Sequence, residues 1–220
     1  SDLRTIILAA GQGYKLGDFN KLLLRNPSRD ETILDIYSRI FSDTKITIVV
    51  GYKAINIMNR YPQFDYVYNP KWHITKDSYS LGLALNEEPC YVVHSDFFIS
   101  KENLELFKEC KENCVVTLNS SDRSSESLNC EISNNKISKI YKGSLKSASD
   151  SELLGMYKIT KKETLIEWKK QCLNNSNLLI GQNFPIDKKQ NHLSQICGDD
   201  FDISIIKTPI DYINFINAKN

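Results

Sequence analysis

The chain has 220 residues, enough to bury a core of its own. Lys and Arg number 28 against 27 Asp and Glu, and a net charge of +1 leaves no basic surplus for a nucleic-acid partner. The apolar runs, such as residues 46–50 and 5–10, are strand-sized and far short of the roughly 20 residues that span a bilayer, so no membrane span is expected.

In chain order, residues 5–10 open as a β-branched apolar run with no charged, long-apolar and small-residue zones of a secretory signal before them, which makes a cytoplasmic chain the expectation. Strands are predicted over 5–10, 45–50, 66–68, 90–93 and 114–118, with helices over 32–41, 54–61, 78–86 and 101–111 between them. Strands alternating with helices imply βαβ units, so the fold class is α/β with a mainly parallel sheet. Past residue 118 the rhythm changes to shorter strands over 128–132, 136–141 and 152–159. Helices follow over 162–172 and 188–197, then a strand over 202–206. A last helix starts at Pro209, with Thr208 as its N-cap. One domain over 1–220 is expected, in two halves, 1–118 and 119–220, the second ending in the strand and helix. The six cysteines form no CxxC pair, which reads as reduced, structural thiols.

The first strand runs into Gly11-Gln12-Gly13-Tyr14-Lys15-Leu16-Gly17. Leu16 stands where a dinucleotide fingerprint needs its third glycine, and no P-loop run follows. What remains is a glycine loop with two cations, Lys15 and Lys21, suited to a triphosphate. Taken alone, a plain turn with solvated lysines fits as well.

The run Ile6-Ile7-Leu8-Ala9-Ala10-Gly11, then Gly13, a basic residue at 15, Asn20-Lys21 and Leu23, resembles the signature of nucleotidyltransferases that activate sugar phosphates, phosphocholine and phosphonates. It departs from the signature at Lys15, where the family has Arg, and at Asn20, where it has Pro. The likeness continues at Gly51-Tyr52, at Asn69 with Trp72, and at Ser78-Tyr79-Ser80-Leu81, a pattern similar to the phosphocholine and phosphonate cytidylyltransferase branch. It implies a Rossmann-like three-layer sandwich with a mainly parallel mixed sheet and a small additional β region, of the nucleotide-diphospho-sugar transferase type, with 1–118 as the nucleotide-binding half and 119–220 as the acceptor-binding half.

The resemblance further implies that Leu8, Ala9, Ala10, Gly11, Gln12, Gly13, Gly51, Tyr52, Asn69, Ser78 and Ser80 meet the nucleotide. On residues alone, the two serines serve equally as helix caps. Lys21, Lys15 and Asp96 would be the catalytic set, with Asp96, at the end of the strand before it, as the Mg²⁺ ligand. By itself Asp96 is also a common turn residue. His94 stands where relatives often carry a second acid and is a candidate to face the acceptor, although on residues alone a core or strand-end histidine fits as well, and Lys207 stands where they carry a second metal-binding aspartate. A cation cannot ligate magnesium, so either Lys207 pairs with the acceptor's anion, which we favour, or Asp202 or Asp211 supplies the ligand, or the chain is degenerate. Trp72, Tyr79, Phe97 and Phe98 are candidates for an aromatic cage around a quaternary ammonium, and Glu126, Glu131 and Glu152 for carboxylates that meet an amine.

The implied reaction transfers CMP from CTP, or a nucleotidyl group from another NTP, to a small phosphorylated or phosphonate head-group with release of pyrophosphate. Phosphocholine, an aminoalkylphosphonate or a phosphorylated amino acid for surface glycan or lipid decoration fits best. A sugar-1-phosphate acceptor is the alternative, and a nucleotide-binding module without catalysis a third. A homodimer is compatible with this reading.

Overall fold

The computed structural model describes residues 3–11, 20–26, 28–101, 104–119, 123, 125–186 and 191–219. The chain runs from β1 (Arg4–Ala9) through a short hairpin, β2 (Arg25–Asn26) and β3 (Glu31–Thr32), into α1 (Ile33–Ile40), β4 (Lys45–Val50), α2 (Ala54–Arg60), β5 (Asp65–Tyr68) and α3 (Asp77–Ala84). Then come β6 (Cys90–His94), β7 (Phe97–Ile99), α4 (Glu105–Glu109), β8 (Cys114–Leu118), β9 (Leu128–Ser133), β10 (Lys136–Lys142), β11 (Ser151–Ile159) and α5 (Lys162–Asn174). It closes with β12 (Ser194–Cys197), β13 (Ile203–Ile205) and α6 (Pro209–Lys219). No described helix is long and apolar enough to cross a membrane.

Period-two alternation explains the layers. Along β1, Ile7 and Ala9 enter one core with Tyr37 and Phe41 of the α1 side, while Ile6 and Leu8 enter the other with Leu81 of α3 and Trp168 of α5. Both faces of the sheet are therefore covered by helices, which is why its central strands read as unbroken apolar runs. Helix α1 is started by a capping box in which Thr32 and Asp35 satisfy each other's backbone N–H groups.

Nine strands form one sheet in the order β5-β4-β1-β6-β11-β8-β12-β10-β9. Strands β5, β4, β1 and β6 are mutually parallel, and β11 enters antiparallel between β6 and β8. The additional β structure consists of two small sheets, β13 with β7 and β2 with β3.

The structure corrects two sequence expectations and adds a strand. The helix predicted over 188–197 is a strand over Ser194–Cys197, with 188–190 outside the described residues. β12 lies parallel to β8, its entry fixed by Ser194 N–H on the Asn113 carbonyl (2.9 Å) and Gln195 N–H on that of Asn135 (3.0 Å), so sheet pairing overrides local propensity. The helix predicted over 101–111 contracts to Glu105–Glu109, because Ser100 and Lys101 donate to the carbonyls of Asp202 and Phe201 and not to a helical turn. β7, missed in the sequence, is what they continue.

Candidate active site

The parallel strands end at a cavity of about 610 Å³, the place where open α/β sheets take their ligands. Gly11, Lys21, Trp72, His94, Asp96 and Lys207 all line it. Gln12, Gly13 and Lys15 lie outside the described residues.

Asp96 sits on the turn between β6 and β7, which is braced from two sides. The buried Tyr37 hydroxyl lies 3.0 Å from the His94 carbonyl and 2.8 Å from that of Phe97, and Ile206 N–H donates to the Asp96 carbonyl at 2.8 Å. The second bond sets Lys207 beside the turn. Lys21 opens a short 3-10 turn over Lys21–Leu23, where Asn20 accepts from Leu22 N–H at 3.0 Å and Leu22 is buried. Asn20 therefore supplies an N-cap, a contact no proline side chain can make.

These elements bring four charges into one chain. Lys21 Nζ pairs with Asp96 Oδ1, His94 Nδ1 lies 3.0 Å from Asp96 Oδ2, and His94 Nε2 lies 2.6 Å from Asp77 Oδ2. The contact at Nδ1 is an ion pair whose N–H is not aligned as a hydrogen bond. Burial alone would disfavour the imidazolium, but the two flanking carboxylates overcome it and raise the His94 pKa to about 10. Burial likewise opposes ionisation of Asp96, yet His94 and Lys21 hold it well below the usual carboxylate range, and Asp77 is lowered by His94 in the same way.

A pH dependence follows. Below pH 6.5 His94 is protonated in folded and unfolded chains alike and its ion pairs contribute fully; between 6.5 and about 10 only the folded chain keeps the proton, so stability falls as pH rises. Urea midpoints measured across that window are expected to decline, and to decline less in Asp77→Asn. A midpoint that stays level across the window instead would show that His94 is neutral in the folded chain.

The remaining candidates divide by position. Ala10 accepts from Tyr52 N–H at 3.0 Å, and a Cβ on Gly51 would lie 2.6 Å from Trp72 Cβ and 2.7 Å from the Ala10 carbonyl. Glycine at 51 thus lets the ends of β1 and β4 close on Trp72, whose ring lies 4.9 Å from that of Tyr52. Leu8 and Ala9 are buried in β1. Asn69 and Ser80 are buried and bonded to each other at 2.9 Å, and Ser78 donates to the Leu179 carbonyl at 2.8 Å, so these three polar groups tie α3 to its surroundings and are not on the cavity wall. Tyr79 is also off the wall, with Lys71 5.6 Å from its ring. Phe98 stacks on Phe215 at 4.3 Å in the core, so only Trp72 and Phe97 of the four cage aromatics reach the cavity.

Of the acids, Glu126 and Glu152 line the cavity and Glu131 does not. Asp77, beside His94, directly precedes Ser78 in the sequence, and nothing local ties it to a histidine on another element. Gly155 of β11 meets His94 so closely that a Cβ there would lie 2.8 Å from the histidine Cβ.

Sheet order, the inserted antiparallel strand and the strand-end cavity define a Rossmann-like α/β fold of the nucleotide-diphospho-sugar transferase type. Over its whole length the chain is similar to the CTP:phosphocholine cytidylyltransferase of Streptococcus pneumoniae, with a TM-score of 0.81, 17% identity and 100% of both chains covered. It is also similar to the inositol-1-phosphate CTP transferase of T. maritima (TM-score 0.74, 15% identity, 100% of this chain and 96% of the other). A third is the nucleoside-diphosphate-sugar pyrophosphorylase of Vibrio cholerae (0.70, 14%, 97% and 99%). At such identities the likeness is one of fold. No family model and no curated protein matches the sequence.

Proposed function

We propose that the chain is a nucleotidyltransferase that moves CMP from CTP to a small phosphorylated or phosphonate acceptor. The observation that carries this reading is the convergence of Lys21, Asp96 and Lys207 on one cavity at the ends of β1 and β6. The fold shared with two CTP-dependent transferases supports the choice of nucleotide.

An acceptor oxygen attacks the α-phosphorus of CTP, a new P–O bond forms, and the bond to the β-phosphate bridging oxygen breaks to release pyrophosphate. A phosphate monoester has a second pKa of about 6, so the nucleophile is ionised without a general base. Catalysis then rests on alignment and on charge stabilisation. Lys21 holds the charge that builds on the leaving pyrophosphate, and Lys207 holds the acceptor's anion. Trp72 walls the nucleotide side, with the Tyr52 ring packed 4.9 Å from its own.

Among the described residues no group of three His, Cys, Asp or Glu is arranged to hold a metal. Magnesium, however, is commonly held by one or two carboxylates together with substrate phosphates, and Asp96 fits that shared arrangement. When bound there, the ion would supply charge neutralisation on the triphosphate.

Glu126 and Glu152 on the cavity wall, and an aromatic set reduced to Trp72 and Phe97, favour an aminoalkyl head over a quaternary one. Glu126 also meets Lys76 and Lys142 at 3.8 and 3.5 Å. The test is a matrix of the four NTPs against phosphocholine, aminoethylphosphonate, phosphoserine and sugar-1-phosphates, read by pyrophosphate release. CTP with an aminoalkyl acceptor is expected to be fastest. Turnover confined to sugar-1-phosphates would move the chain to the NDP-sugar-forming class, and nucleotide binding without release would mark a non-catalytic module.

A further inference from the structure

If Asp96 is the metal ligand, as proposed above, its surroundings pose a problem. Both of its oxygens already face protein cations: Lys21 at Oδ1 and His94, 3.0 Å away, at Oδ2. A magnesium ion bonded to Oδ1 at about 2.1 Å would sit almost in contact with the lysine ammonium, a repulsion that a partly buried site screens poorly. An entering metal therefore competes with one of these two cations for the carboxylate.

The geometry decides which. His94 is held on its far side by Asp77 at 2.6 Å and packed against Gly155. Among the described residues the Lys21 ammonium has no such second anchor, and its backbone is fixed by the Asn20 cap and the buried Leu22, so only a flexible four-carbon stem has to turn. A triphosphate at the Gly11 end of the cavity offers that ammonium a stronger partner than a single carboxylate.

We propose that Lys21 is the resting counter-ion of Asp96 and that Lys21 and a divalent metal occupy this carboxylate in alternation, so that the metal enters only with the nucleotide. The same side chain then has two successive partners. It neutralises Asp96 in the free protein and the pyrophosphate in the complex. The free site is thereby kept clear of divalent ions that arrive without substrate.

Mn²⁺ binding followed by electron paramagnetic resonance tests this without any turnover. The nucleotide-free wild-type protein is expected to bind no Mn²⁺ at concentrations that saturate its complex with a CTP analogue carrying a methylene in the α,β-bridge. Lys21→Met and Lys21→Gln, both checked for folding by near-ultraviolet circular dichroism, are expected to bind one Mn²⁺ without nucleotide, about tenfold or more tighter than wild type. Adding Asp96→Asn to either is expected to abolish that binding. Wild-type protein that binds one Mn²⁺ as tightly as the Lys21 variants overturns the proposal, as do folded variants that gain no affinity. The two readings fail separately. A chain that releases no pyrophosphate but shows this metal pattern loses the transferase assignment alone, whereas an active transferase whose free form binds Mn²⁺ at Asp96 loses the alternation alone.

Discussion

Lys21→Ala is expected to slow pyrophosphate release about 10²–10³-fold, or about 3–4 kcal/mol of transition-state stabilisation, the usual cost of removing one preorganised donor from a developing oxyanion. The loss should fall mainly on kcat, because the charge that Lys21 meets grows as the pyrophosphate leaves. Lys21→Arg is expected to recover only part of it, since a wider planar head cannot take up the position of a point charge beside Asp96. Asp96→Asn should cost a comparable factor by removing the negative end of the same arrangement, though for a different reason. It also leaves His94 with Asp77 as its one anionic neighbour in the chain of charges, so its thermal midpoint must be recorded beside its rate. Near-normal release by either variant, with the fold intact, would remove that residue from the chemistry.

How far the sequence reached can be read from these same residues. The unbroken apolar run Ile6, Ile7, Leu8 and Ala9 read as a strand of a mainly parallel sheet, and the Gly11 loop marked the end of that strand, because both signals are local. Asp96 at the end of an apolar run was equally legible. The pairing of His94 with Asp77 was not, since it joins the end of β6 to the first turn of α3 through space. Strand β12 was misread for the same reason: residues 194–197 carry weak periodicity, and what makes them a strand is the open edge between β8 and β10 that they fill. The insertion of β11 between β6 and β8 belongs to this class too. It is the step that carries Glu152 and Gly155 to the cavity, so this part of its wall depends on long-range pairing that no local pattern encodes.

Lys207 carries the other large expected effect, and the structure narrows its alternatives. Asp211 accepts from Lys207 N–H at 2.9 Å and Thr208 N–H at 3.0 Å while Thr208 Oγ1 accepts from Asp211 N–H at 3.2 Å, so this carboxylate caps α6. Asp202 holds a left-handed turn at φ 50° and does not line the cavity. Lys207 does line it, fixed by the Ile206 bond to the Asp96 carbonyl. If it meets the acceptor's anion, Lys207→Ala should lower kcat/KM for the acceptor about 10- to 100-fold through a raised KM and leave nucleotide affinity near wild type, the pattern of a lost charge partner in a half-buried site. Lys207→Asp separates this from a vestigial metal position. As an acceptor-binding site it should lose more than the alanine variant, because a carboxylate would repel the incoming anion. As a vacated ligand position it should instead gain Mn²⁺ affinity in the nucleotide complex and hold or raise the rate. Unchanged kcat and acceptor KM in Lys207→Ala would take the residue out of the site altogether.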